Sequence, residues 1–110
     1  MGISMEYLQD AREFADAARA AKVPAVIIQN AFKATEFALK PVAYKFNERI
    51  RSHKDAKRIA HKIGPEAGRA FTELLDIYHG SYDRKDGERA ERAIELMGEI
   101  LDEVERYLAK

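Results

Sequence analysis

The stretch PAVIIQNAFKATEFALKPVAYKF, residues 24–46, decides the fold. Ile28, Ala31, Phe32, Ala34, Phe37, Ala38, Leu39, Val42, Ala43 and Phe46 recur at three- and four-residue steps, the spacing of a helix. The β-branched run Val26-Ile27-Ile28 could open a strand, but it leads directly into that spacing and is read with it. Together these residues cover most of the helix circumference. Such a helix is either the centre of a bundle or half core and half subunit interface. Pro24 suits the first helical position, and Pro41 inside the pattern removes one backbone donor and predicts a kink.

Upstream, Tyr7, Leu8, Ala11, Phe14, Ala15, Ala18 and Ala21 form one apolar face of a first helix, with Ser4 as its expected N-cap. Downstream, Ser52 followed three residues later by Asp55 resembles a capping box opening a short third helix. Gly64-Pro65 is a stop-and-restart signal, and a fourth helix from Pro65 to Tyr78 offers Ala67, Ala70, Phe71, Leu74, Leu75 and Tyr78 to the core. His79 to Gly87 reads as the one substantial loop. The last helix, Glu88 to Leu108, carries a stripe through Ala90, Ala93, Ile94, Met97, Ile100, Leu101, Val104 and Leu108. Its outer face has the pairs Glu88–Arg92 and Asp102–Arg106 at helical spacing. The expected architecture is all-α: a single domain over residues 1–110, an up-and-down bundle of four to five helices.

Length and composition agree with one folded domain. The chain has 110 residues, 46% hydrophobic and 35% charged, enough to build a core without staples and too polar for a membrane span. It has no cysteine, which excludes thiol catalysis and cysteine zinc sites. No basic-then-apolar leader opens it, so a cytoplasmic protein is expected. Phe32, Phe37, Tyr44 and Phe46 on so apolar a helix favour a homodimer.

The formal net charge is zero, but the charges are sorted. Residues 40–69 hold nine basic side chains against three acidic, while the segments on either side are net acidic. A neutral chain with a basic middle is suited to an anionic partner. Within it, Arg49, Arg51, His53, Lys54, Lys57 and Arg58 combine clustered cations, an imidazole and a helix N-terminus, the parts that hold a phosphate. An arginine there can stabilise charge developing on a phosphodiester while His53 moves a proton. Metal chemistry is not expected. His53 and His61 stand two helical turns apart, no HExxH arrangement exists, and no cofactor motif is present.

Three features are similar to the HEPN family of small all-helical domains. They are Ala34-Thr35-Glu36-Phe37-Ala38-Leu39-Lys40 on the second helix, Arg51-Ser52-His53-Lys54-Asp55 opening the third, and the turn from Tyr78 to Asp83 before an acidic closing helix. The resemblance implies a two-fold dimer, often beside a small nucleotidyltransferase in a toxin–antitoxin-type module. It also implies ribonuclease activity where four to six residues separate an Arg from the His that follows it. Three, one and two residues separate Arg49, Arg51 and Arg58 from the next histidine, so that motif is not matched and cleavage does not carry over.

Three functions follow as expectations. The first is binding of a nucleotide or RNA through the basic middle, with a nucleotidyltransferase as possible protein partner. The second is metal-independent endoribonuclease activity using His53 with Arg49 or Arg51. The third is a helical protein-interaction scaffold.

Overall fold

A computed structural model describes residues 3–80 and 87–110, apart from the side chains of Ile3 and Ser4. Five helices follow one another, and no strand occurs among the described residues. They are α1 (Ile3–Ala20), α2 (Pro24–Lys45), α3 (His53–Ile63), α4 (Pro65–His79) and α5 (Gly87–Ala109). No helix among them is long and apolar enough to cross a membrane.

Helix α2 is the hub. It touches α1, α3, α4 and α5, while α3 packs on α4 and α4 on α5. That position explains its composition. Ile28, Phe32, Leu39 and Val42 are buried on it, against Ile59, Phe71, Leu74, Leu96, Met97, Ile100 and Val104 from α3, α4 and α5. Each large side chain so buried contributes roughly 1.5–3 kcal/mol relative to exposure. Thr35 is the one buried polar side chain among the described residues, and its hydroxyl donates to the Phe32 carbonyl at 2.8 Å. Helix α2 runs from Pro24 to Lys45 with Pro41 buried inside it.

Helix α2 lies at the centre of the bundle, packed against the other four helices. Phe32 is buried, Phe37 and Phe46 are partly buried against the core, and Tyr44 is exposed. Val26 and Tyr44 of α2 remain exposed.

The end signals act largely as expected. Val23 is extended before Pro24, and Gly64 closes α3 and precedes Pro65 of α4. Helix α1 begins at Ile3, so the expected cap Ser4 falls inside the helix. Helix α4 continues through His79, and residues 81–86 of the anticipated loop, with Tyr82 and Asp83, lie outside the described residues.

Two core residues, Ile77 and Leu96, lie outside the stripes drawn from spacing. Helices α4 and α5 each face more than one neighbour, so the buried arc is wider than a single stripe. The surface pairs on α5 also differ from expectation. Arg92 reaches Glu73 of α4 in a bidentate pair at 2.6 and 2.9 Å, and Arg106 pairs with Glu103 at 2.8 Å rather than with Asp102. A fork-shaped guanidinium gains more from a matching carboxylate across a helix interface than from a partner along its own helix.

Candidate functional site

Between α2 and α3 the chain makes a short, tightly determined connection. Asn47 takes the left-handed conformation (φ 57°) just past the end of α2. Its N–H donates to the Tyr44 carbonyl at 3.0 Å, and that of Glu48 donates to Ala43 at 2.9 Å, the two bonds of a Schellman ending. The connection then reaches Ser52, extended at φ −153° and ψ 167°. Ser52 Oγ accepts the Asp55 N–H at 3.2 Å, the N-cap expected from sequence. The return bond differs from a standard capping box. Asp55 Oδ2 accepts the N–H of Arg51, at 2.9 Å, one residue before the cap.

These bonds fix Arg49, Ile50 and Arg51. Ile50 packs against the core, while Arg49 and Arg51 are exposed on either side of it. A clamp on the far side completes the connection. Arg58 donates to Glu48 Oε1 (2.7 and 3.0 Å) and to Asp55 Oδ1 (2.9 Å), and Lys62 pairs with the other Glu48 oxygen. Lys62 and then Arg58 hold the Glu48 carboxyl below its usual range, and the Arg51 N–H followed by Arg58 does the same for Asp55.

The first residue of α3 is His53. Its ring meets Phe32 edge-on at 4.9 Å between centroids and Tyr78 edge-on at 5.6 Å, with the His79 ring 5.8 Å away. Phe32 and Tyr78 stack on each other at 4.2 Å, so the imidazole rests on a rigid aromatic step. Its Nε2 lies 3.8 Å from a carboxylate oxygen of Glu36 on α2. Burial pushes the Glu36 carboxyl up, against the attraction of His53, Lys40 and Lys33.

A cleft of about 590 Å³ opens at this point, bordered by Glu36, Lys40, Arg51, His53 and Lys54. Three cations and one imidazole therefore surround a single carboxylate. Lys40 is held by rings, its ammonium 4.3 Å from the centroid of Phe37 and 4.9 Å from that of Tyr7. A second, smaller cleft adjoins the first along Lys40 and Ile50, and Arg49 borders it.

The structure thus divides the sequence candidates. Arg51, His53 and Lys54 converge on the large cleft, and Arg49 borders its neighbour. Lys57 lies one turn further along α3 and borders neither cleft, and Arg58 is committed to Glu48 and Asp55. His61 lies over α4: a Cβ on Gly68 would overlap its imidazole, so glycine permits the close approach of these helices there. Among the described residues no group of three acidic, histidine or cysteine side chains is placed to hold a metal ion.

Sequence reasoning placed none of Glu36, Lys40 and Tyr44 in the site: Glu36 and Lys40 entered only through the HEPN-like pattern on α2, and Tyr44 as an aromatic favouring a dimer. The available signal was contrast. Lys33, Glu36, Lys40 and Tyr44 are the polar positions at helical spacing on a helix otherwise apolar nearly all round. Comparison with family models, curated proteins and solved structures finds no match for this chain.

Proposed function

We propose that this chain is a binding module for a nucleotide or single-stranded RNA, holding a phosphate in the cleft between α2 and the start of α3. One observation carries the reading: Lys40, Arg51 and Lys54 converge with His53 on one cleft at the N-terminus of α3. Arg49, Arg51, Lys54 and Lys57 make no ion pair with the described residues, so their charge is available to a ligand, whereas that of Arg58 and Lys62 is spent on Glu48. A helix N-terminus adds backbone donors and a favourable dipole for an anion. Replacing Arg49, Arg51, Lys54 and Lys57 together by Glu should abolish binding of RNA, and wild-type affinity should fall steeply with salt. Affinity indifferent to both would remove the cleft as the site.

The homodimer belongs to this proposal through the apolar surface of α2, where Val26 and Tyr44 are exposed, and through the HEPN resemblance, and the nucleotidyltransferase partner through the resemblance alone. Sedimentation at micromolar concentration reads the first, and co-purification with such an enzyme reads the second. A second function, metal-independent endoribonuclease activity, is favoured by a separate observation: His53 and Arg51 border the same cleft, with Glu36 beside the imidazole.

A further inference from the structure

The smaller cleft has a volume of about 140 Å³ and is lined by Tyr7, Lys40, Tyr44, Glu48, Arg49 and Ile50. Sites that enclose a whole small molecule usually measure roughly 300–1,000 Å³. The large cleft falls in that range and this one well below it, so this one takes a single ring rather than a complete ligand. Its walls suit a ring. Tyr7 and Tyr44 stack with centroids 6.1 Å apart and planes 17° apart, and Tyr44 remains 39% exposed. Lys40 sits at the boundary of the two clefts, fixed over Tyr7 and Phe37. Arg49 supplies a second cation at the outer edge.

We propose that the small cleft is a nucleobase subsite and that the ligand is a single strand of at least two nucleotides. The inference rests on the phosphate reading of the large cleft. A base stacks on Tyr44, one flanking phosphate lies with Arg51 and Lys54, and the other lies with Arg49. Arg49 and Arg51 are two residues apart, at most about 7 Å along the backbone, and they border different clefts on either side of Ile50. That arrangement matches consecutive phosphates flanking one base, whereas a mononucleotide has phosphate on one side only. Every base offers a π-face, so the subsite tolerates any sequence. A duplex keeps those faces inside its stack and is excluded.

The test is fluorescence anisotropy of an end-labelled poly-uridine RNA decamer, with uridine monophosphate and a short RNA duplex as competitors. Tyr44→Ala should weaken decamer binding about fivefold or more, the loss of one stacked base, while Tyr44→Phe and Tyr44→Trp keep it. Circular dichroism should be unchanged, since Tyr44 is exposed. Both competitors should displace the decamer poorly. If Tyr44→Ala binds as wild type while Arg51→Glu with Lys54→Glu does not bind, the base subsite is wrong and the phosphate cleft stands. Competition by the monophosphate or the duplex equal to that of unlabelled decamer overturns the single-strand assignment. A wild-type protein that does not bind the decamer overturns the phosphate reading and this inference with it.

Discussion

The imidazole of His53 and the carboxylate of Glu36 face each other at 3.8 Å across the junction of α2 and α3. Burial dominates the Glu36 environment and raises its pKa despite three neighbouring positive or protonatable groups. A carboxyl raised in the folded state favours folding most when protonated. Its contribution is fully present below the ordinary value and is lost as pH rises through the folded one.

Glu36→Gln should therefore be more stable than wild type at pH 7, where the ionised carboxylate is the disfavoured form. The gain should shrink as pH falls through the raised pKa of Glu36. Urea midpoints of the two proteins at neutral and acidic pH measure this. The same substitution removes the only negative charge bordering the large cleft among the described residues, so RNA affinity at pH 7 should increase. Destabilisation at neutral pH that closes in acid would show that attraction to His53, Lys40 and Lys33 outweighs desolvation.

Ser52→Ala removes the acceptor for the Asp55 N–H and should cost about 1 kcal/mol, within the usual 0.5–2 kcal/mol for an N-cap. Chemical denaturation at neutral pH reads it. The Asp55 carboxyl is depressed, first by the Arg51 N–H and then by Arg58. Its contribution is present above the ordinary aspartate value and lost as pH falls through the lower, folded one. Asp55→Asn should consequently lower stability at neutral pH, and the difference from wild type should close in strong acid.

The helices were legible because their signals are local. Ser52, Gly64 and Pro65 act within a turn of themselves, and the apolar spacing of α2 requires no knowledge of its neighbours. The cleft was half legible. Arg51, His53 and Lys54 are adjacent in sequence and stay adjacent in space. Glu36 and Lys40 enter only because α3 starts against that turn of α2, a tertiary event that spacing does not encode. The connection itself was unread, since the left-handed Asn47 that ends α2 is recognised by its backbone bonds. Counting charge also overstated the free cations, because Glu48 absorbs two of them.

That last point separates Arg58 from Arg51. Arg58→Ala should leave RNA affinity within about twofold while lowering stability only slightly, as the loss of exposed ion pairs does. Arg51→Ala should weaken binding and reduce the slope of log affinity against log salt by about 0.7, one phosphate contact on a single strand. Titrations at several salt concentrations compare the two. Equal slopes in both variants would mean that Arg58 leaves Glu48 to meet the ligand.

Bound RNA should be cut slowly at best. In metal-free cleavage the 2′-oxygen attacks phosphorus, the bond to the 5′-oxygen breaks, and a cyclic phosphate remains. One group takes the 2′-hydroxyl proton and another gives a proton to the leaving oxygen. His53 can serve as one of these, with Arg51 on the phosphate in the same cleft. The second imidazole within reach of His53, that of His79, does not border this cleft. Glu36 is beside His53, but a carboxylate there opposes the charge of the phosphate. A missing acid or base costs on the order of 10²–10⁴ in rate. Single-turnover assays of a labelled RNA in chelator should thus show little cleavage, with any residue of it lost in His53→Ala and kept in His61→Ala. Turnover at ordinary enzyme rates that His53→Ala abolishes would establish the endoribonuclease instead, with Glu36 as the second group to test.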